Sequence, residues 1–350
     1  MPPDPRTILS PHCGERIRRE ERGFASATGF KGDSPALNHC KSTHRRFYEI
    51  LEYFNPGDVL VVNASRVFPA RIAFWINGKR GDMLLGTLPK NGEALAKMEG
   101  RWARALNRVG GKVRFQDGSD GTVSILGFDD NAGAFRVAVA AQSSFEAIGE
   151  VPLPPYILKA RKQAGEPTLE PDDVKKYQCV YAGTPGSSAC PTAGLHWTDP
   201  LLIQLREKGV RIIKIVLHVG FASMMHGENR ERLPAEEVLI DEAAAGLINA
   251  TKKKGKKIFG CGTSVVRSLE SAGQDGLVRA YSGPTELFIK PGYAFKIVDA
   301  MITNFHLPQS TNFLMTQAFL GGTTKLEALY QEAVQNEYQF YSYGDAMLIL

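Results

Sequence analysis

From residue 69 to residue 152 the chain reads in short alternating runs (RIAFWI, DMLLGTL, RWARAL, KVRFQ, TVSILGF and AFRVAVA), with almost no helical period. Turn-forming residues separate the runs: Asn77-Gly78, Asn91-Gly92, Gly110-Gly111, Asp117-Gly118 and Asn131-Ala132-Gly133. Many short strands at close spacing, bounded by residues that tolerate tight turns, predict a small antiparallel β-barrel. The proline-rich crossing VPLPPYI, residues 151–157, closes the block.

On both sides of this block the pattern changes. Residues 47–54 have helical spacing and stop at Pro56-Gly57, after which DVLVVN reads as a buried strand. Downstream, Thr198 can cap a helix through LLIQLREK, and RIIKIVLHVG is a near-continuous apolar run. A helix over 241–254, a strand at KKIFGCG and a helix at SVVRSLESA follow. Strands flank Pro291-Gly292, and LMTQAFLG and KLEALYQEAVQ read as late helices. Strand–helix alternation predicts an α/β fold: a layered α/β domain, residues 1–68 and 153–350, split by an inserted antiparallel β-barrel domain, residues 69–152. Residues 1–43 show no clear periodicity and read as a mobile or peripheral segment.

Composition narrows the class. With 350 residues and 43% hydrophobic side chains, the chain has enough apolar content for a folded core. No stretch approaches the roughly 18–20 apolar residues of a membrane span. The opening lacks the basic-then-apolar pattern of an export signal, so export is not expected. Cys13, Cys40, Cys179, Cys190 and Cys261 are odd in number and never form a CxxC pair, so free thiols are expected. A net charge of +5 permits a polyanionic partner without demanding one.

Several loops carry chemistry-bearing residues, each with a plainer alternative. In PTAGLHW (191–197), Thr192 and His196 sit in a tight loop with Gly194; His196 is either a general base or acid, or a brace for the loop. His218, in LHVG, ends a buried strand where α/β sheets open their ligand crevice, or is a bonded core histidine. In TNFHLPQS, Asn304 can bond a planar base or fix a turn, His306 follows a strand, and Ser310 can cap a helix. Three histidines on separate loops lack any compact ligand spacing, so no metal is expected. GCGTS (260–264) places Thr263 and Ser264 at a helix start suited to an anion, although the Walker lysine and a full GxGxxG are missing. Arg267 and Glu270, one helical turn apart, either face a ligand or pair with each other. Arg66 and Arg71 suit phosphate or carboxylate recognition, or are surface residues. TKKKGKK (251–257) either complements a helix C-terminus or meets RNA phosphates. Asp345 is a carboxylate in an apolar tail, either functional or fixing a turn with Gly344.

The ordered series PGDVLVVNASRVFPAR, VPLPPYI, YQCVYAGTPGSSACPTAGLHWT, LHVG, GTSVVRSLE, GPTELFIKPGYAFKIVDAMITNFHLPQST and YSYGDAMLI resembles the S-adenosylmethionine:tRNA ribosyltransferase-isomerase family, over residues 44–350. The resemblance implies a cytoplasmic, typically monomeric enzyme with an α/β domain and an inserted β-barrel. It further implies S-adenosylmethionine as co-substrate and tRNA as partner, with the ribosyl group moved onto 7-aminomethyl-7-deazaguanine at the wobble position. Epoxyqueuosine forms, and adenine and methionine leave. Such chemistry needs a base, an acid for adenine and a shell for the methionine ends. His196 and His306 are the acid/base candidates, with Asp345 the third catalytic candidate. Asn304 and Asp345 are placed to orient a base or ribose, and Thr263, Ser264 and Arg267 to hold an anionic group. Asn63, Arg66, Arg71, Thr192, Gly194, His218 and Glu270 complete the expected binding set.

The chain departs from the family pattern in three places. The family's opening motifs are not found in residues 1–43. Its Asn-Asp-Thr-Arg stands here as Asn63-Ala64-Ser65-Arg66, and its Met-His-Ser-Glu is matched either by 225–228 or by LeuProAlaGlu at 233–236, the latter favoured and keeping Glu236. Two other functions therefore stay open: a noncatalytic tRNA- or nucleoside-binding paralogue, and a transferase using the same co-substrate on another acceptor.

Overall fold

The computed structural model describes residues 6–10, 42–227 and 230–350. Cys13, Cys40, Glu228 and most of the aperiodic N-terminal segment lie outside the described residues. The main sheet has nine strands, in the order Tyr281–Thr285, Glu236–Ile240, Arg211–Leu217, Val59–Asn63, Ile258–Cys261, Ala300–Asn304, Ala346–Ile349, Arg6–Ser10, Thr43–Arg46. Its centre is parallel: Val59–Asn63 lies between Arg211–Leu217 and Ile258–Cys261, and Ala300–Asn304 continues in the same direction. Glu236–Ile240 and Ala346–Ile349 run antiparallel to the strands they flank.

The apolar run at 59–62 explains that central position. Every residue of Val59–Asn63 is buried, and alternate side chains serve opposite faces. Val59 and Val61 join one core, with the helices Glu242–Lys253, Thr263–Ala272, Thr311–Leu320 and Thr323–Gln335. Leu60 and Val62 join the other, with Phe47–Tyr53 and Asp199–Glu207. A strand covered on both faces has no use for polar alternation, hence the continuous Val/Leu sequence. The caps read from sequence form: Thr198 Oγ1 accepts from Leu201 N–H and Ser310 Oγ from Phe313 N–H.

The seven strands of the second sheet all fall between Arg71 and Glu150. Arg71–Ile76 pairs with Lys79–Leu85 on one side and with Lys112–Phe115 on the other, which closes the sheet on itself. The Asn-Gly turns behave as expected, with positive φ at Asn77, Gly78, Asn91 and Gly92. RWARAL is not a strand but the helix Gly100–Arg108. Its Ala103 and Leu106 are buried, and Trp102 stacks edge-on against Phe74 at 5.8 Å. Those apolar positions are three apart, a helical spacing that the short run disguised as alternation.

Candidate active site

Four parallel strands that end at one edge leave a crevice there. In this chain the residues following Arg211–Leu217, Ile258–Cys261 and Ala300–Asn304 line a single cavity of about 610 Å³. The barrel supplies another wall through Arg71 and Leu84, and the proline-rich crossing 152–156 a third. Of the residues expected from sequence, Arg71, Thr192, Thr263, Ser264, Arg267, Asn304 and His306 line this space. Asn63, Arg66, Gly194, His196, His218, Glu270 and Asp345 do not.

The loops PTAGLHW and TNFHLPQS meet edge to edge. Thr192 Oγ1 donates to Asn304 Oδ1 at 2.9 Å, and the Asn304 amide nitrogen lies 3.3 Å from His196 Nε2. Asn304 is buried at the end of its strand, so both ends of its amide are committed. His196 stands behind Asn304, stacked on Phe47 with ring centroids 5.0 Å apart. Burial pushes its imidazole down to about 4, so at neutral pH the ring is uncharged and can accept the Asn304 N–H.

His306 faces the cavity. Its backbone N–H donates to Tyr330 Oη at 2.8 Å, and its Nε2 sits 2.8 Å from Thr303 Oγ1. Burial also brings this ring down to about 4. A histidine held neutral can take a proton but has none to give at pH 7. Of the two histidines expected to act as acid and base, His306 lines the cavity and His196 does not, and both rings are uncharged at neutral pH.

Arg267 is not available to a ligand anion. Its Nη1 donates to Glu236 Oε2 at 2.5 Å, Nη2 to the carbonyl of Thr285 and Nε to that of Leu287. Both members of the pair are 4% exposed. Burial raises the Glu236 carboxyl and lowers the Arg267 guanidinium, and each opposes the shift of the other. Glu236 Oε1 also accepts from Gly220 N–H at 2.7 Å. Glu236 itself lines the cavity, as does His226. Neither belonged to the expected site; the only signal was the displaced Met-His-Ser-Glu motif, whose two alternative matches both reach this wall.

Other expectations resolve into structural roles. Glu270 does not pair with Arg267. Its carboxylate accepts from the backbone N–H groups of Lys296, Ile297 and Val298 at 3.0–3.1 Å and from Tyr293 Oη, pinning that loop. Asp345 accepts from Gln339 N–H at 2.8 Å and so braces the chain before the last strand. Asn63 is fully buried; it exchanges bonds with the backbone of Leu217 and donates to Ser264 Oγ at 3.2 Å, tying two strand ends to the helix start. Gly194 is a packing glycine, since a Cβ there would lie 2.2 Å from Tyr181 Oη. His218 Nδ1 bonds Ser65 Oγ at 2.8 Å over Gly186, where a Cβ would meet the ring at 2.4 Å. Arg66 is exposed. TKKKGKK precedes strand Ile258–Cys261 and therefore lies at the opposite end of the sheet from the cavity. Its Lys252 is tethered to the carbonyls of Lys296 and Ile297.

Cys179, Cys190 and Cys261 are buried free thiols. Among the described residues no three His, Cys, Asp or Glu side chains gather as a metal site, and no helix is long and apolar enough to cross a membrane.

A family model described as a queuosine biosynthesis protein matches residues 36–349. An S-adenosylmethionine:tRNA ribosyltransferase-isomerase of Moorella thermoacetica is 40% identical over 320 residues, covering 88% of this chain and 89% of its own length. A protein of the same description from Anaeromyxobacter dehalogenans is 40% identical over 321 residues, covering 88% of each chain. Among solved structures, an S-adenosylmethionine tRNA ribosyltransferase of Thermotoga maritima aligns with a TM-score of 0.47 at 27% identity, over 99% of this chain and 92% of that one.

Proposed function

The chain belongs to the S-adenosylmethionine:tRNA ribosyltransferase-isomerase family, and from that premise we propose how its cavity carries out the reaction. The enzyme transfers and isomerises the ribosyl part of S-adenosylmethionine onto 7-aminomethyl-7-deazaguanine in tRNA, giving epoxyqueuosine and releasing adenine and methionine. The observation that supports this site is the Thr192–Asn304 bond, which holds two polar loops side by side on the cavity wall.

His306 is the base. When its ring donates through Nε2 to Thr303 Oγ1, Nδ1 keeps a lone pair for the carbon beside the sulfonium. Removing that proton forms the C4′–C5′ double bond as the ring C4′–O bond breaks, and the freed oxygen pair forms a C1′ carbonyl that expels adenine, which takes up a proton from solvent. The amine of the modified base adds to C1′ and loses a proton, and the oxygen returns to C4′, which leaves a carbanion beside the sulfonium. That carbanion closes on C1′ as the C1′–O bond breaks, and the oxyanion left on C4′ displaces methionine from C5′ to form the epoxide. Thr192, whose own proton is given to Asn304, presents its oxygen to the cavity as an acceptor for a ribose hydroxyl. His196 acts through Asn304 and is a positioning residue. Thr263 and Ser264 present a helix start to the cavity.

We further propose that the barrel, 69–152, is an inserted unit, that the enzyme works as a monomer in the cytoplasm, and that no metal takes part. Incubation of the purified protein with S-adenosylmethionine and tRNA carrying the deazaguanine precursor, followed by nucleoside analysis, tests the function. Epoxyqueuosine with matching adenine is expected. Adenine without base conversion would mean a different acceptor, and neither product would favour a noncatalytic binding protein.

A further inference from the structure

Among the described residues two arginines line the cavity, and they differ in one respect. Arg267 has an acceptor for each of its guanidinium nitrogens, among them the Glu236 carboxylate. Among the described residues Arg71 Nε is buried without a hydrogen-bond partner, and no ion pair includes Arg71. A buried charged donor without an acceptor is costly, and native proteins rarely leave one unless something else completes it.

Local structure explains how Arg71 comes to be there. It opens strand Arg71–Ile76, whose alternate residues Ile72, Phe74 and Ile76 fill the barrel core. Alternation therefore turns Arg71 to the outside of the barrel, onto the wall shared with Pro152, Leu153 and Tyr156. The proline-rich crossing limits how far that wall can move. A half-buried guanidinium on the cavity wall, its Nε unpaired among the described residues, matches a planar group with two oxygens.

We propose that Arg71 anchors an oxyanion of the substrate: the barrel's contribution to binding is a fork that receives the carboxylate of the methionyl arm. This rests on the function proposed above, which supplies two sources of that chemistry, the co-substrate carboxylate and a tRNA phosphate. The small, partly enclosed setting favours the carboxylate.

Calorimetry on the full chain distinguishes the sources without requiring turnover. The probes are S-adenosylmethionine, its decarboxylated analogue, and unmodified tRNA at two salt concentrations, each against wild type, Arg71→Met and Arg71→Lys. The expected result is that Arg71→Met weakens S-adenosylmethionine about 10- to 100-fold while binding the decarboxylated analogue as wild type does, with Arg71→Lys in between. Unchanged co-substrate binding, with weaker tRNA binding and a salt slope reduced by about one, would uphold the anchor with phosphate as its oxyanion. Thermal melts identify a variant that fails to fold, in which case Arg71→Lys decides. Equal binding of every probe by wild type and variants, or no binding by any, overturns the proposal. A wild type that binds but makes no epoxyqueuosine contradicts the function and leaves this result readable.

Discussion

Thr192 Oγ1 donates to Asn304 Oδ1, and the same Asn304 amide turns its nitrogen toward His196 Nε2. One side chain thus fixes a hydroxyl in the cavity and an imidazole behind it. Asn304→Ala releases both, and a displaced reacting group costs about 100-fold in turnover. Asn304→Asp keeps the acceptor for Thr192 but replaces the donor facing His196, so it should fall between. Steady-state kcat for the three proteins checks the order, and equal kcat for Asn304→Ala and wild type would remove the contact from the mechanism.

The Glu236–Arg267 pair predicts strong coupling. Removing either partner leaves a buried charge uncompensated, at about 3–5 kcal/mol. Glu236→Leu with Arg267→Met removes both charges and should cost clearly less than the two single changes added together. Urea denaturation of the four proteins measures the difference, and simple additivity would show that the pair is not coupled.

Glu270 predicts a loss of stability confined to one loop. Glu270→Gln turns one acceptor edge into a donor facing donated N–H groups, at on the order of 3 kcal/mol. Hydrogen exchange should rise first at Lys296, Ile297 and Val298. Protection unchanged at those amides would contradict the assigned role.

Stability should fall with acid in a defined window. His196 and His306 are each depressed from 6.5 to about 4 by burial. Between those values the unfolded chain binds protons that the folded chain does not, so stability is full above about 6.5 and is lost as pH falls toward 4. Each ring contributes about 1–3 kcal/mol. Glu236, raised by burial, works in the opposite direction at the low end. Urea midpoints at pH 7 and pH 5 should differ, and His306→Gln should narrow the difference; a midpoint independent of pH would refute the shifts.

The barrel and the layered sheet were legible because their signals are local: Asn-Gly turns with positive φ, and a Val/Leu run buried on both faces. RWARAL misled because six residues are too few to separate period two from period three. Within the site, the loops PTAGLHW and TNFHLPQS stood out through unusual residue types, and they do meet. The partners of Arg267 and Glu270 were not legible. Helical spacing suggested that they pair with each other, whereas both turn to groups 18 to 33 positions away, including Glu236 and Tyr293. His226 and Glu236 were obscured because the motif that would mark them is shortened here. Sequence spacing also brought TKKKGKK forward, while sheet direction places it at the far end from the cavity.

In the proposed mechanism His306 removes the proton that starts the reaction. Single-turnover adenine release by His306→Ala, with S-adenosylmethionine binding measured on the same protein, tests it most directly. Binding within a few-fold of wild type, with release slowed at least about 100-fold, is predicted. Release at the wild-type rate would contradict it.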